Sequence, residues 1–119
     1  MSIYSEIILD HYQNPRNRGQ LDDAAHIHVS NPLCGDIIDM YIKTSEGKVI
    51  AAKFDGVGCA ISTAAASMLT EYVKKREVVD LKKMDQKAMI KLLGISLGVN
   101  RIKCALLPLE ALHKILKDG

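Results

Sequence analysis

The sequence predicts an α+β domain: a small three-stranded antiparallel sheet with helices packed on one face. Three observations predict it. Period-two alternation of apolar and polar residues is confined to three stretches between Ala25 and Phe54. Helical periodicity of about 3.6 residues dominates after Cys59. A short Gly-containing connection, Ser45-Glu46-Gly47, joins the second and third alternating stretches as a hairpin would. Strands first and helices afterwards make an α+β layering, in which the helices cover the apolar face of the sheet.

The elements follow in order. From Ser2 to Tyr12 the residues Ile3, Tyr4, Ile7, Ile8, His11 and Tyr12 make one helical stripe, with Ser2 as N-cap. Asn14-Pro15 ends it, because the residue before proline is pushed out of the α region. The strands are Ala25 to Val29, Ile37 to Lys43 and Lys48 to Phe54. Ile38, Met40 and Ile42 share one face of the second, and Ile50, Ala52 and Phe54 one face of the third. Ile61, Ala65, Met68, Leu69, Tyr72 and Val73 then mark a helical face. Asp85 caps a further helix through Ala88, Met89, Leu92 and Leu93, and Gly94 stops it. In the last segment Leu109, Leu112, Ile115 and Leu116 fall on one side. Pro108 predicts a break near Leu107 and a new helix beyond it.

Composition narrows the class. At 119 residues the chain is expected to be one domain spanning 1–119. Its 48% apolar and 25% charged residues argue against a disordered, fibrous or transmembrane chain. Sixteen Lys and Arg against fourteen Asp and Glu leave +2, too little to suggest a nucleic-acid partner. Lys74-Lys75-Arg76 is flanked by Glu71 and Glu77 and reads as a solvated helix end. There is no basic segment followed by an apolar one at the N-terminus, and no stretch long enough to span a membrane. A cytoplasmic protein without membrane partners is expected.

Three cysteines, an odd number, exclude a fully paired disulfide framework, and none lies in a CxxC motif. Free thiols fit a reducing compartment. Cys34, Cys59 and Cys104 each stand where two predicted elements join, which is where sites are usually assembled. Asp36 follows Cys34 by two residues, so both side chains point to the same side of an extended chain. Cys59, at the start of a helix, gains from the helix dipole and free N–H groups, which favour a thiolate. Three thiolates and a carboxylate complete a tetrahedral zinc set, and thiolates also hold iron–sulfur clusters. The alternative is three buried cysteines acting as small apolar residues. Lys103 is a cation that would offset thiolate charge and hold an arriving or departing sulfur species; otherwise it is a surface lysine. His26 and His28 share a strand face with no third ligand evident and read as solvated. His11 reads as packed or capping, and His113 as exposed.

Four blocks carry a resemblance over essentially the whole length. They are Asp10-His11-Tyr12-Gln13-Asn14-Pro15-Arg16-Asn17, Asn31-Pro32-Leu33-Cys34-Gly35-Asp36, Gly56-Val57-Gly58-Cys59-Ala60-Ile61-Ser62 and Arg101-Ile102-Lys103-Cys104. The chain resembles the IscU/SufU/NifU N-terminal family of iron–sulfur cluster assembly proteins. The resemblance implies that Cys34, Asp36, Cys59 and Cys104 form one site. It implies a non-enzymatic scaffold that takes iron, and persulfide sulfur from a cysteine desulfurase. There it builds a labile 2Fe–2S cluster and passes it to acceptor apo-proteins. Cys104 matches the persulfide acceptor, and Asp36 the ligand linked to easy release. Tyr4 matches a tyrosine associated with dimer contacts, and a monomer or weak homodimer is implied.

The chain also departs from the family pattern. IscU-type members carry histidine before the third cysteine, where this chain has Lys103, and a Pro-Pro motif where it has Leu97-Gly98-Val99-Asn100-Arg101. Arg101-Ile102-Lys103-Cys104 is similar to SufU, whose members bind Zn2+ through three cysteines and an aspartate. The step from Cys59 to Cys104 nevertheless leaves no room for the extra SufU segment. The alternative function is thus a zinc-dependent sulfurtransferase carrying sulfur on Cys104. A structural zinc domain without sulfur traffic is the third reading.

Overall fold

A computed structural model describes residues 6–31, 35–94 and 99–117, and of residues 99–101 the helical backbone alone. Ser2, Ile3, Tyr4, Cys34 and residues 97–98 lie outside the described residues. The chain order is α1 (Glu6–Gln13), β1 (Ala25–Asn31), β2 (Asp36–Ser45), β3 (Lys48–Val57), α2 (Ala60–Val73), α3 (Val78–Lys82), α4 (Gln86–Leu93) and α5 (Val99–Lys117).

The sheet is an antiparallel meander in the order β1-β2-β3. Alternation sends Val29, Ile38, Met40, Ile42, Ala52 and Phe54 to the buried face. Glu46 and Gly47 both have positive φ, 53° and 78°, as a two-residue turn with the right-handed twist of a hairpin requires. Ile50 departs from expectation: it is 55% exposed and Val49 is buried in its place. The register jumps there, with Lys43 opposite Ala51 but Thr44 opposite Val49. The resulting bulge gives β3 one extra residue, Ile50, and reverses the alternation before it.

Helices α2 and α5 cover the buried face, α2 against β3 and α5 against β1 and β2, while α1 packs on α2. Being wrapped on several sides, α2 is buried almost all round, and only small residues let its neighbours approach: Ser62, Thr63, Ala64, Ala65, Ala66 and Ser67 are all buried. Among the described residues of the expected α1 stripe only Ile8 is fully buried; Ile7 and Tyr12 are exposed. A single partner helix can cover only part of so wide a stripe.

Helix α4 starts where expected, the Asp85 carboxylate accepting from the Ala88 N–H at 2.9 Å, and stops at left-handed Gly94. The one-turn α3 is too short to show periodicity and was not anticipated; it buries Leu81. The expected break at Leu107 is absent: α5 runs through Pro108. An interior proline costs about 3 kcal/mol. Full burial of each large aliphatic side chain returns about 1.5–3 kcal/mol, and α5 buries Leu107, Leu109, Leu112, Ile115 and Leu116. Burial decides the matter. Among the described residues no helix is long and apolar enough to cross a membrane.

Candidate metal centre

Asp36 is the first residue of β2, on the face that carries Ile38 and Met40, and is 1% exposed. A buried carboxylate needs hydrogen-bond partners. Its Oδ1 accepts from the Cys59 backbone N–H at 3.0 Å, and its Oδ2 lies 3.9 Å from Cys59 Sγ. One oxygen is thus held by main chain while the other faces a thiol.

Cys59 is the N-cap of α2, with extended backbone, and its Sγ accepts from the Ser62 N–H at 3.5 Å. A sulfur in this position faces the free N–H groups and positive end of the helix dipole, a setting suited to an anionic ligand. Ser62 hydroxyl donates to the Cys59 carbonyl at 3.2 Å and locks the same turn. Gly58 allows the approach: a Cβ there would stand 2.2 Å from Ser62 Oγ and 3.1 Å from Asp36 Oδ1.

Cys104 lies inside α5, buried at 5% exposure, rather than at the junction ahead of the final helix that the sequence suggested. The helix begins earlier than Pro108 implied, so the thiol is delivered by a rigid element. Donor atoms of Asp36, Cys59 and Cys104 all lie within 4.8 Å of one another. Three elements far apart in sequence thereby supply one cluster. Cys34 falls outside the described residues.

Zinc and iron–sulfur chemistry both ask for soft thiolate donors and tolerate one carboxylate. This donor set fits either. Lys103 is exposed although its neighbour Cys104 is buried. The histidines stand elsewhere. His11 Nδ1 pairs with Ser67 Oγ at 2.7 Å, and half-buried His113 bonds the Leu81 carbonyl at 3.2 Å rather than standing free. His26 and His28 are exposed as expected, but both reach Asp39, an acidic neighbour on β2 that sequence reading missed. Gly58 and Ser62 were missed as supports of the site; the Gly-x-Gly-Cys spacing before a helix was the available signal.

A three-stranded sheet roofed by helices, with thiol and carboxylate donors gathered at one end of the roof, defines a class of small α+β proteins built to hold a soft metal or cluster. The chain belongs to the NifU-like N-terminal domain family, whose model matches residues 3–118. It is 37% identical to the zinc-dependent sulfurtransferase SufU of Bacillus subtilis, over 95% of this chain and 88% of that protein. It is 40% identical to the iron–sulfur cluster assembly scaffold protein IscU of Aquifex aeolicus, over 97% of this chain and 74% of that one. Among solved structures, FiSufU of Fervidobacterium islandicum superposes with a TM-score of 0.82 at 27% identity, covering 96% of each chain.

Proposed function

We propose that this chain, acting as one domain over residues 1–119, is an iron–sulfur cluster assembly scaffold. The observation that carries the reading is the mutual approach of Asp36, Cys59 and Cys104 within 4.8 Å. Iron and sulfur are its cargo, Cys34 its third thiol, a cysteine desulfurase its sulfur donor and apo-proteins its acceptors. In sulfur transfer the Cys104 thiolate attacks the terminal sulfur of the donor's persulfide. A new S–S bond forms on Cys104 while the donor's S–S bond breaks, and the donor cysteine leaves as a thiolate. Because Cys104 is only 5% exposed, the donor's sulfur must enter the site to be accepted. Asp36, the single hard donor among thiolates, is the weakest ligand for such cargo and the natural point of release.

A second reading, a zinc-dependent sulfurtransferase, is favoured by one observation. Lys103, which stands where IscU-type members carry a further histidine ligand, is exposed, and this supports a donor set of three thiols and one carboxylate, enough for tetrahedral zinc. The two separate experimentally. Protein purified without oxygen and incubated with iron, cysteine and a desulfurase should gain acid-labile sulfide and visible charge-transfer absorbance, both lost in Cys59→Ala. A colourless, sulfide-free product with one stoichiometric zinc, together with desulfurase turnover that falls in Cys104→Ser, would replace the scaffold with the sulfurtransferase.

A further inference from the structure

The outer face of the sheet carries a second cluster of metal-ligating side chains. His26 and His28 are two residues apart on β1, so both project from the face opposite the core. Asp39 on β2 pairs with His28 in register and lies diagonal to His26, which pairs with Tyr41. Diagonal cross-strand neighbours are within reach of long side chains. Both imidazoles converge on one oxygen: His26 Nε2 is 2.8 Å and His28 Nδ1 3.1 Å from Asp39 Oδ1. His26 is steadied by stacking on Tyr41, with ring centroids 4.5 Å apart and planes inclined by 11°.

We propose that His26, His28 and Asp39 form a second metal site, distinct from the thiol centre, for a borderline divalent cation such as Zn2+, Ni2+ or Cu2+. Two neutral imidazoles and one carboxylate are the donors such ions prefer over purely hard or purely soft sets. Zinc bonds to nitrogen and carboxylate oxygen are about 2.0–2.2 Å long. All three side chains are at least partly exposed, at 44%, 57% and 27%, so the rings have room to turn about their χ angles, as ligation of one ion by both nitrogens and an oxygen requires. Three protein ligands leave the remaining positions to water, as in open zinc sites.

The site is separate from the thiol centre because β2 alternates. Asp36, Ile38 and Met40 face inward, whereas Asp39, an odd number of residues from Asp36, faces out. Asp55, opposite Asp39 on β3, is already engaged with the Gly56 N–H and Arg18 and is not counted as a ligand.

The test is a Zn2+ titration of the whole protein followed by the imidazole 1H–15N signals, which report this site whether or not the thiol centre fills. The His26 and His28 signals should shift together and saturate, while those of His11 and His113 stay in place. His28→Gln and Asp39→Asn should each weaken that saturable binding about tenfold or more, with the melting temperature of the metal-free protein unchanged. Overturning outcomes are equal drift of all four histidines without saturation, or saturable binding that survives both substitutions. A failed thiol centre with saturable His26 and His28 shifts would sink the proposed function and leave this inference standing.

Discussion

Replacing Gly56 with alanine tests how closely β2 and β3 approach just before the candidate metal centre. Gly56 lies opposite Ile38 in the β2–β3 pairing and three residues before Cys59, with φ at +137°. A Cβ built there would stand 2.0 Å from the Ile37 carbonyl oxygen, 3.0 Å from its carbon and 3.2 Å from Ile38 Cα, all backbone. Main chain cannot rotate away as a side chain can. The backbone conformation alone costs about 1–3 kcal/mol, and the overpacking a further 1–3 kcal/mol or so. A combined loss of about 4 kcal/mol, at an unfolding entropy near 2.1 cal/mol/K per residue, lowers Tm by about 15 °C for a chain of this length. Gly47→Ala is the control, because Gly47 also has positive φ (78°) but would place its Cβ in open space. It should cost about 1 kcal/mol, or about 4 °C. Thermal melts followed by circular dichroism, with urea titrations beside them, give both values. If Gly56→Ala is no more destabilising than Gly47→Ala, the backbone contact with Ile37 does not constrain this hairpin and the reasoning fails.

Gly58→Ala should act on the site more than on the fold. Its Cβ would displace Ser62 Oγ and crowd Asp36 Oδ1, so zinc affinity should drop about tenfold or more, and adding Ser62→Ala should restore part of it by removing the closest clash; no recovery would mean that Ser62 is not the obstacle. His11 sets a pH dependence: burial and then the Arg16 charge hold it below its ordinary 6.5, against the opposing pull of Glu71 and Asp10. The unfolded chain therefore takes up this proton first, and the contribution is complete above about pH 6.5 and declines as pH falls below it. Urea denaturation between pH 5 and 8 should show that decline shallower in His11→Gln, and parallel profiles would refute the assignment. Zinc affinity at the thiol centre should itself fall between pH 8 and 6, because binding displaces thiol protons. Competition with a chelator of known pH behaviour measures it, and a flat profile would exclude thiolate ligation.

Much of the fold was legible because its signals are local. The three strands appear within a few residues of their observed limits because alternation depends only on which side of one strand faces the core. Helix α4 was readable from Asp85 and Gly94, whose roles need no distant partner. Where local signals met a tertiary demand, the demand prevailed. Pro108 reads as a break, yet the apolar residues on either side of it are buried together and hold α5 in one piece. Ile50 reads as core, yet the bulge opposite Lys43 and Thr44 turns it outward, and a bulge is a property of two paired strands rather than one.

The same division runs through the candidate sites. By itself the sequence singled out the candidate donors, Cys34, Asp36, Cys59 and Cys104, and placed Cys59 at a helix start, since residue identity and capping are local chemistry. Only the tertiary structure decided that Asp36, Cys59 and Cys104 meet within 4.8 Å, that a backbone N–H orients the carboxylate, and that Asp39 sits beneath two histidines. Those outcomes depend on register between strands and on how two helices settle over a sheet. Both are fixed by the burial of the whole apolar face, to which any single stretch of sequence contributes only part.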